Sequence, residues 1–289
     1  MQNLDVYISE ILAEDLGPGV RDVSVFSLGN ASERIAKGRV VAKSDGVISG
    51  LWLVEKVLKE VEKFSRPVSM FLCPARVEYM CKDGDFASSG TLIAEINGPV
   101  GTLLTSERTI LNLLQRLSGV ATLTRSFVEA IKGSKSQILD TRKTTPGMRS
   151  LEKLAVRHGG GMNHRFGLYD MVMLKDNHIT AMGGKIKSAI SNARQLVGPT
   201  LKIEVEVANL VQFEEALNTD VDMIMLDNMT PSEMKKCVEI AAGKVPLEAS
   251  GGITLESVKK VAETGVDYIS VGALTHSAKA LDISMKISF

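Results

Sequence analysis

Between Asp140 and His178 the chain reads DTRKTTPGMRSLEKLAVRHGGGMNHRFGLYDMVMLKDNH. This window holds Arg142, Lys143, Arg149, Lys153, Arg157, Arg165 and Lys175, with His158, His164 and His178. Only Asp140, Glu152, Asp170 and Asp176 oppose them, although over the whole chain 34 Lys and Arg balance 34 Asp and Glu. A cationic stretch inside a neutral protein marks a local anion site. A nucleic-acid surface would instead show a basic excess over a whole domain. Arginine grips a carboxylate bidentately and lysine acts as a point charge for phosphate. Arg142, Arg165 and Arg108 are therefore carboxylate candidates, and Lys143 and Lys175 phosphate candidates. Lys153 and Arg157 read as surface salt-bridge residues on a helix. His164, paired with Arg165, is a better ligand contact than His178.

Two acids stand among these cations. Glu206 and Asp227 can hold Mg²⁺ through water, face a developing positive charge, or pair with Lys143 and Lys175. Backbone N–H groups of Ser250, Gly251, Gly252 and Gly272 precede helical segments and can cradle a phosphate, with His276 as an added donor. Glycines 159–161 give either a turn before Asn163-His164-Arg165 or a plain helix C-cap.

The elements that must position these groups alternate regularly after residue 136. Short apolar strands appear at QILDTRK, DMVMLKDN, KIEVEVAN, MIMLDN, PLEASGG and YISVGAL, most of them separated by helical segments. Fully apolar strands in repeated β-α units imply a parallel sheet, and their number favours a closed or nearly closed α/β barrel. The polar residues fall at the carboxyl ends of those strands, the rim where such barrels build their chemistry. In EVEV, Glu204 and Glu206 share one face while Val205 and Val207 turn to the helix layer.

The first hundred residues differ. Leu4, Ile8, Ile11 and Leu12 form one helical face, GRVVAKSDGVISG reads as strand, turn and strand, and Leu51, Val54, Val57, Leu58 and Val61 form a core-facing stripe. This is an α+β layer without a catalytic constellation. A long helical stretch beginning at SERT, with a break expected near Ser118-Gly119, joins the halves.

Composition narrows the setting. At 289 residues, 44% hydrophobic and 24% charged, the chain has the make-up of a globular protein. No apolar run reaches the roughly 18 residues that span a bilayer. The N-terminus lacks the basic region of a signal peptide. Cys73, Cys81 and Cys237 have no metal or redox spacing, which fits a reducing, cytoplasmic setting.

Taken together, DTRKTTPG, GGGMNHR, LKDNH, EVEV, LDN, EASGGI and VGALTHS, in this order and spacing, resemble the quinolinate phosphoribosyltransferases. The resemblance runs over nearly the whole chain, including the SERT segment. It implies an N-terminal α/β sandwich domain over residues 1–112, joined by the tail 277–289, and an incomplete parallel α/β barrel over 113–276. It implies transfer of phosphoribosyl from phosphoribosyl pyrophosphate to quinolinate with loss of CO₂, in NAD synthesis, with Mg²⁺. It places Arg142, His164 and Arg165 on the quinolinate carboxylates and Lys143 and Lys175 by phosphoribosyl pyrophosphate. Glu206 and Asp227 take Mg²⁺ and the ribose, and Ser250, Gly251, Gly252, Gly272 and His276 take the 5′-phosphate. It also implies a homodimer in which Arg108 enters the neighbouring subunit's site. The competing readings are a phosphoribosyltransferase with another acceptor, a Schiff-base lyase using Lys175, and a non-enzymatic ligand sensor.

Overall fold

The computed structural model describes residues 4–19, 21–64 and 73–289. The chain divides into two compact units, 1–122 with 278–289, and 123–277. The division falls inside one long helix, later than the 112/113 boundary expected from the sequence.

In the first unit α1 (Leu4–Leu16) buries Ile8, Leu12 and Leu16. The short α2 (Val23–Ser27) is capped by Asp22, whose carboxylate accepts the Val25 N–H at 3.0 Å. β1 (Ile35–Ala42) alternates exposed and buried residues, as a strand with one covered face must. Both its edges are taken, by β5 (Leu92–Pro99) and by the C-terminal strand Ile283–Ser288, each antiparallel. The chain bends at Lys43-Ser44, just before the expected Asp45-Gly46. However, β2 (Gly46–Val47) pairs with β4 (Phe86–Ala87), because β1 has no edge left for it. α3 (Trp52–Phe64) buries the expected stripe, and β3 (Arg76–Tyr79) pairs with β5.

α4 (Val100–Ala130) runs unbroken through Gly119. A single helical glycine costs only about 1 kcal/mol relative to alanine, too little to break a helix of this length. Its role is steric: a Cβ there would lie 2.0 Å from the Lys279 carbonyl oxygen, so only glycine lets the C-terminal tail pack against the helix. Gln115 Nε2 holds the same tail by donating to Ile283 O at 2.7 Å.

The second unit is built on six parallel strands. In chain order it contains β6 (Gln137–Leu139), α5 (Arg149–His158), β7 (Val172–Leu174), α6 (Asp176–Ala181), α7 (Ile186–Val197) and β8 (Ile203–Val207). There follow α8 (Leu210–Leu217), β9 (Met223–Asp227), α9 (Pro231–Ala241), β10 (Leu247–Ser250), α10 (Leu255–Ala262), β11 (Tyr268–Ser270) and α11 (Ala273–His276). The sheet order is β6-β11-β10-β9-β8-β7, with every pairing parallel. β6 and β7 do not pair, so the barrel stays open, as the incomplete-barrel reading requires. Val205, Ile224, Leu226, Ala249 and Ile269 are fully buried, which is why these strands read as apolar runs. Among the described residues no helix is long and apolar enough to cross a membrane.

Candidate active site

A cavity of about 690 Å³ opens in the second unit at the carboxyl ends of its strands. Each sequence-predicted site residue of that unit lines it, beginning with Arg142 and Lys143 just after β6. Arg108 belongs to α4 in the other unit and is exposed.

One side of the cavity is cationic. Arg142 Nε is buried and has no hydrogen-bond partner. Arg165 donates to Met171 O at 3.1 Å and has no acidic partner among the described residues. Burial, and next the Arg142 charge, pull the Arg165 pKa down. Glu204 and Asp170 offset part of this charge at a distance, but neither guanidinium is in an ion pair among the described residues, so both can receive an anion with more than one carboxylate.

His164 completes this wall. Its Nδ1 accepts the Arg165 N–H at 2.6 Å. Its Nε2 lies 3.1 Å from a Glu204 oxygen and 3.3 Å from a Glu248 oxygen, off the line of a good hydrogen bond to either. Burial alone would lower the His164 pKa, but the two carboxylates outweigh it and raise it. Burial and then Glu248 raise that of Glu204. The carboxylates favour a charged ring, whereas an N–H directed at Nδ1 needs a lone pair there. The Arg165 N–H and the paired carboxylates therefore pull the ring's protonation in opposite directions. His164, Glu204 and Glu248 offer three ligand atoms within 4.8 Å of one another, but the neighbouring guanidinium groups disfavour a metal cation there.

The opposite side carries acids and glycines. Lys175 follows β7 and its ammonium contacts Glu206 at the end of β8. Its backbone N–H donates to His178 Nδ1 at 3.0 Å, so His178 caps α6. Asp227, at the end of β9, accepts from Asn228 Nδ2 at 2.8 Å. Gly251 has φ +98°, and a Cβ there would lie 2.2 Å from Asn228 Oδ1. Gly272 is less confined: a Cβ would meet Lys143 Cδ at 3.0 Å and His276 Nε2 at 3.2 Å, both side-chain atoms. Thr275 Oγ1 donates to Lys143 O at 2.8 Å, tying that strand end to the last glycine loop.

Lys153 corrects one expectation. It is not a surface residue: it is 2% exposed and paired with the fully buried Asp140. α5 turns Leu154 and Arg157 to solvent and buries Leu151, Glu152, Lys153, Ala155 and Val156. Glycines 159–161 serve both suggested roles. Gly159 is the C-cap of α5, and Gly160 adopts φ +91° to turn the chain toward Asn163. Sequence reasoning missed Glu248, whose signal was an acid within the apolar strand LEAS.

Known proteins resemble this chain over most of its length. The model of the quinolinate phosphoribosyl transferase C-terminal domain matches residues 120–286, and that of the N-terminal domain matches residues 22–118. The chain belongs to the quinolinate phosphoribosyltransferase family. A relative from Bacillus subtilis, a probable carboxylating nicotinate-nucleotide pyrophosphorylase, is 44% identical over 97% of this chain and 92% of its own. One of the same description from Synechocystis is 42% identical over 98% and 92%. The crystal structure of NadC from Streptococcus pyogenes superposes with a TM-score of 0.90 at 40% identity, covering 99% of this chain and 96% of that one. The N-terminal match covers β1 and β5 of the antiparallel sheet, and the C-terminal match covers the whole parallel sheet and runs into the tail strand that pairs with β1.

Proposed function

We propose that this protein transfers the phosphoribosyl group of phosphoribosyl pyrophosphate to the ring nitrogen of quinolinate, giving nicotinate mononucleotide, pyrophosphate and CO₂. The observation that carries this reading is the cavity itself. It brings together Arg142 and Arg165, neither in an ion pair among the described residues, with lysines, the carboxylates Glu206 and Asp227 and glycine loops, so a dicarboxylate and a polyphosphate fit together. Release of CO₂ from carboxyl-labelled quinolinate, dependent on phosphoribosyl pyrophosphate, tests it.

Arg142 and Arg165 hold the quinolinate carboxylates, and His164 shapes that wall. Lys143, His276 and the N–H groups of Ser250, Gly251, Gly252 and Gly272 receive the 5′-phosphate. As the C1–oxygen bond to pyrophosphate breaks, cationic character grows on the ribose. Glu206 and Asp227 face it, while Lys175 shifts from Glu206 toward the departing anion. The ring nitrogen attacks C1 and becomes a quaternary cation. The adjacent carboxylate departs as CO₂, leaving its electron pair on the ring carbon, where the neighbouring cation stabilises the carbanion until a solvent proton adds to it. No protein nucleophile is required.

Glu206 and Asp227 fit Mg²⁺, a hard cation that takes one or two carboxylates plus substrate phosphate oxygens. Bound there, it would neutralise charge on pyrophosphate. Chelation is expected to lower turnover by about 100-fold or more, with recovery on adding Mg²⁺. Turnover that persists in chelator would remove the metal role from both acids. The reading also includes a homodimer, in which exposed Arg108 completes the neighbouring subunit's carboxylate site, and a cytoplasmic setting.

Gly251→Ala should raise the KM for phosphoribosyl pyrophosphate. The strained φ and displaced Asn228 cost roughly 1–3 kcal/mol, or about 5- to 150-fold. Steady-state kinetics with that substrate varied would show it, and an unchanged KM would remove the loop from phosphate binding.

A further inference from the structure

We propose that the buried Asp140–Lys153 pair, with Asn163, is the positioning device for the acceptor half of the cavity: it fixes the backbone of His164 and thereby aims Arg165. The proposal rests on the dicarboxylate reading above.

None of the three residues lines the cavity. Asp140 is fully buried and Lys153 is 2% exposed. The Lys153 ammonium contacts one Asp140 oxygen and donates to His164 O at 3.0 Å. The same Asp140 oxygen accepts the His164 N–H at 2.9 Å. Both backbone polar groups of His164 therefore end on a single ion pair. The other Asp140 oxygen accepts from Asn163 Nδ2 at 2.5 Å, and that amide also donates to Lys153 O at 2.9 Å. The chain before His164 is held too: Asp140 N donates to Met162 O at 3.1 Å, and Met162 N to Ile138 O at 2.8 Å.

The network thus joins the end of β6, which presents Arg142, to the segment that presents Arg165. Desolvation of both partners makes such a pair a poor stabiliser compared with apolar residues of the same volume. Registration of the two guanidinium groups is what its geometry provides. Burial raises the Asp140 pKa and lowers that of Lys153, each opposed by the partner, in keeping with a charge pair whose desolvation is only partly offset.

The test uses the whole chain and two variants. Lys153→Met keeps the apolar stem and removes the charge. Asn163→Ala is milder, dropping two hydrogen bonds and leaving the ion pair. Misplacing a binding group by about 1 Å costs up to about 100-fold. Lys153→Met is expected to raise the quinolinate KM and calorimetric Kd by about 10- to 100-fold, and Asn163→Ala by several-fold. The KM for phosphoribosyl pyrophosphate should stay within about twofold in both, a split that general destabilisation would not give. If Lys153→Met fails to fold, Asn163→Ala decides. Unchanged quinolinate affinity in a folded variant, or a parallel rise in both KM values, overturns the proposal. A wild-type protein that does not turn over quinolinate overturns the reading beneath it instead.

Discussion

Arg142→Ala weakens quinolinate binding by about 2–5 kcal/mol, roughly 30-fold to several thousand-fold, the range for truncating one partner of a buried charge pair. Arg142 Nε is buried and unpartnered in the structure, so on the proposed reading the substrate carboxylate would supply its missing acceptor. No acid pairs with this guanidinium among the described residues, so its removal leaves no orphaned carboxylate. The loss falls on the ligand, with the fold little affected. One effect works in the opposite direction. Arg142 lowers the Arg165 pKa, so deleting it relieves some repulsion in the empty site. This places the expected loss toward the lower half of the range. Calorimetric titration with quinolinate measures it directly, and an unchanged Kd would place the acceptor elsewhere.

Glu206→Ala lowers kcat by about 100- to 1000-fold, the usual effect of removing one preorganised electrostatic group from a developing charge. In the empty site Glu206 is neutralised by Lys175. On the proposed reading, substrate would draw the ammonium toward phosphate and release the carboxylate to face C1. That interaction exists chiefly in the transition state, so the substrate KM values should move less than turnover. A change confined to KM would make Glu206 a structural partner of Lys175 and nothing more. Asp227 gives a useful comparison. It ends the adjacent strand and, among the described residues, its side chain is hydrogen-bonded to Asn228 alone, so its loss leaves Lys175 paired.

The parallel sheet was legible because strands buried on both faces carry a plain signal. IEVEV, MIMLD and LEAS are short β-forming runs between amphipathic helices, and burial of Val205, Leu226 and Ala249 explains them. Once those strands were read in order, Arg142, Lys175, Glu206, Asp227 and Gly251 had to fall on one rim. What was not legible depends on partners distant in sequence. Lys153 looks like any helix-surface lysine until Asp140 is placed beneath it. Gly119 looks like a helix breaker until the tail carbonyl of Lys279 is seen against it. β2 looks like the return strand of a hairpin until both edges of β1 prove occupied. Glu248 gave a weak signal as an acid in an apolar strand, but its placement beside His164 needs the strand order β10-β9-β8.

The cavity is expected to take a dicarboxylate acceptor and to release one of its carboxylates as CO₂. The most direct test incubates purified protein with phosphoribosyl pyrophosphate and Mg²⁺, and with either carboxyl-labelled quinolinate or nicotinate. Nicotinate mononucleotide and labelled CO₂ are followed in parallel. The arrangement of Arg142 and Arg165 predicts product and CO₂ in equal amounts from quinolinate, and no product from nicotinate. Comparable turnover of nicotinate, or none of either acceptor, would contradict it.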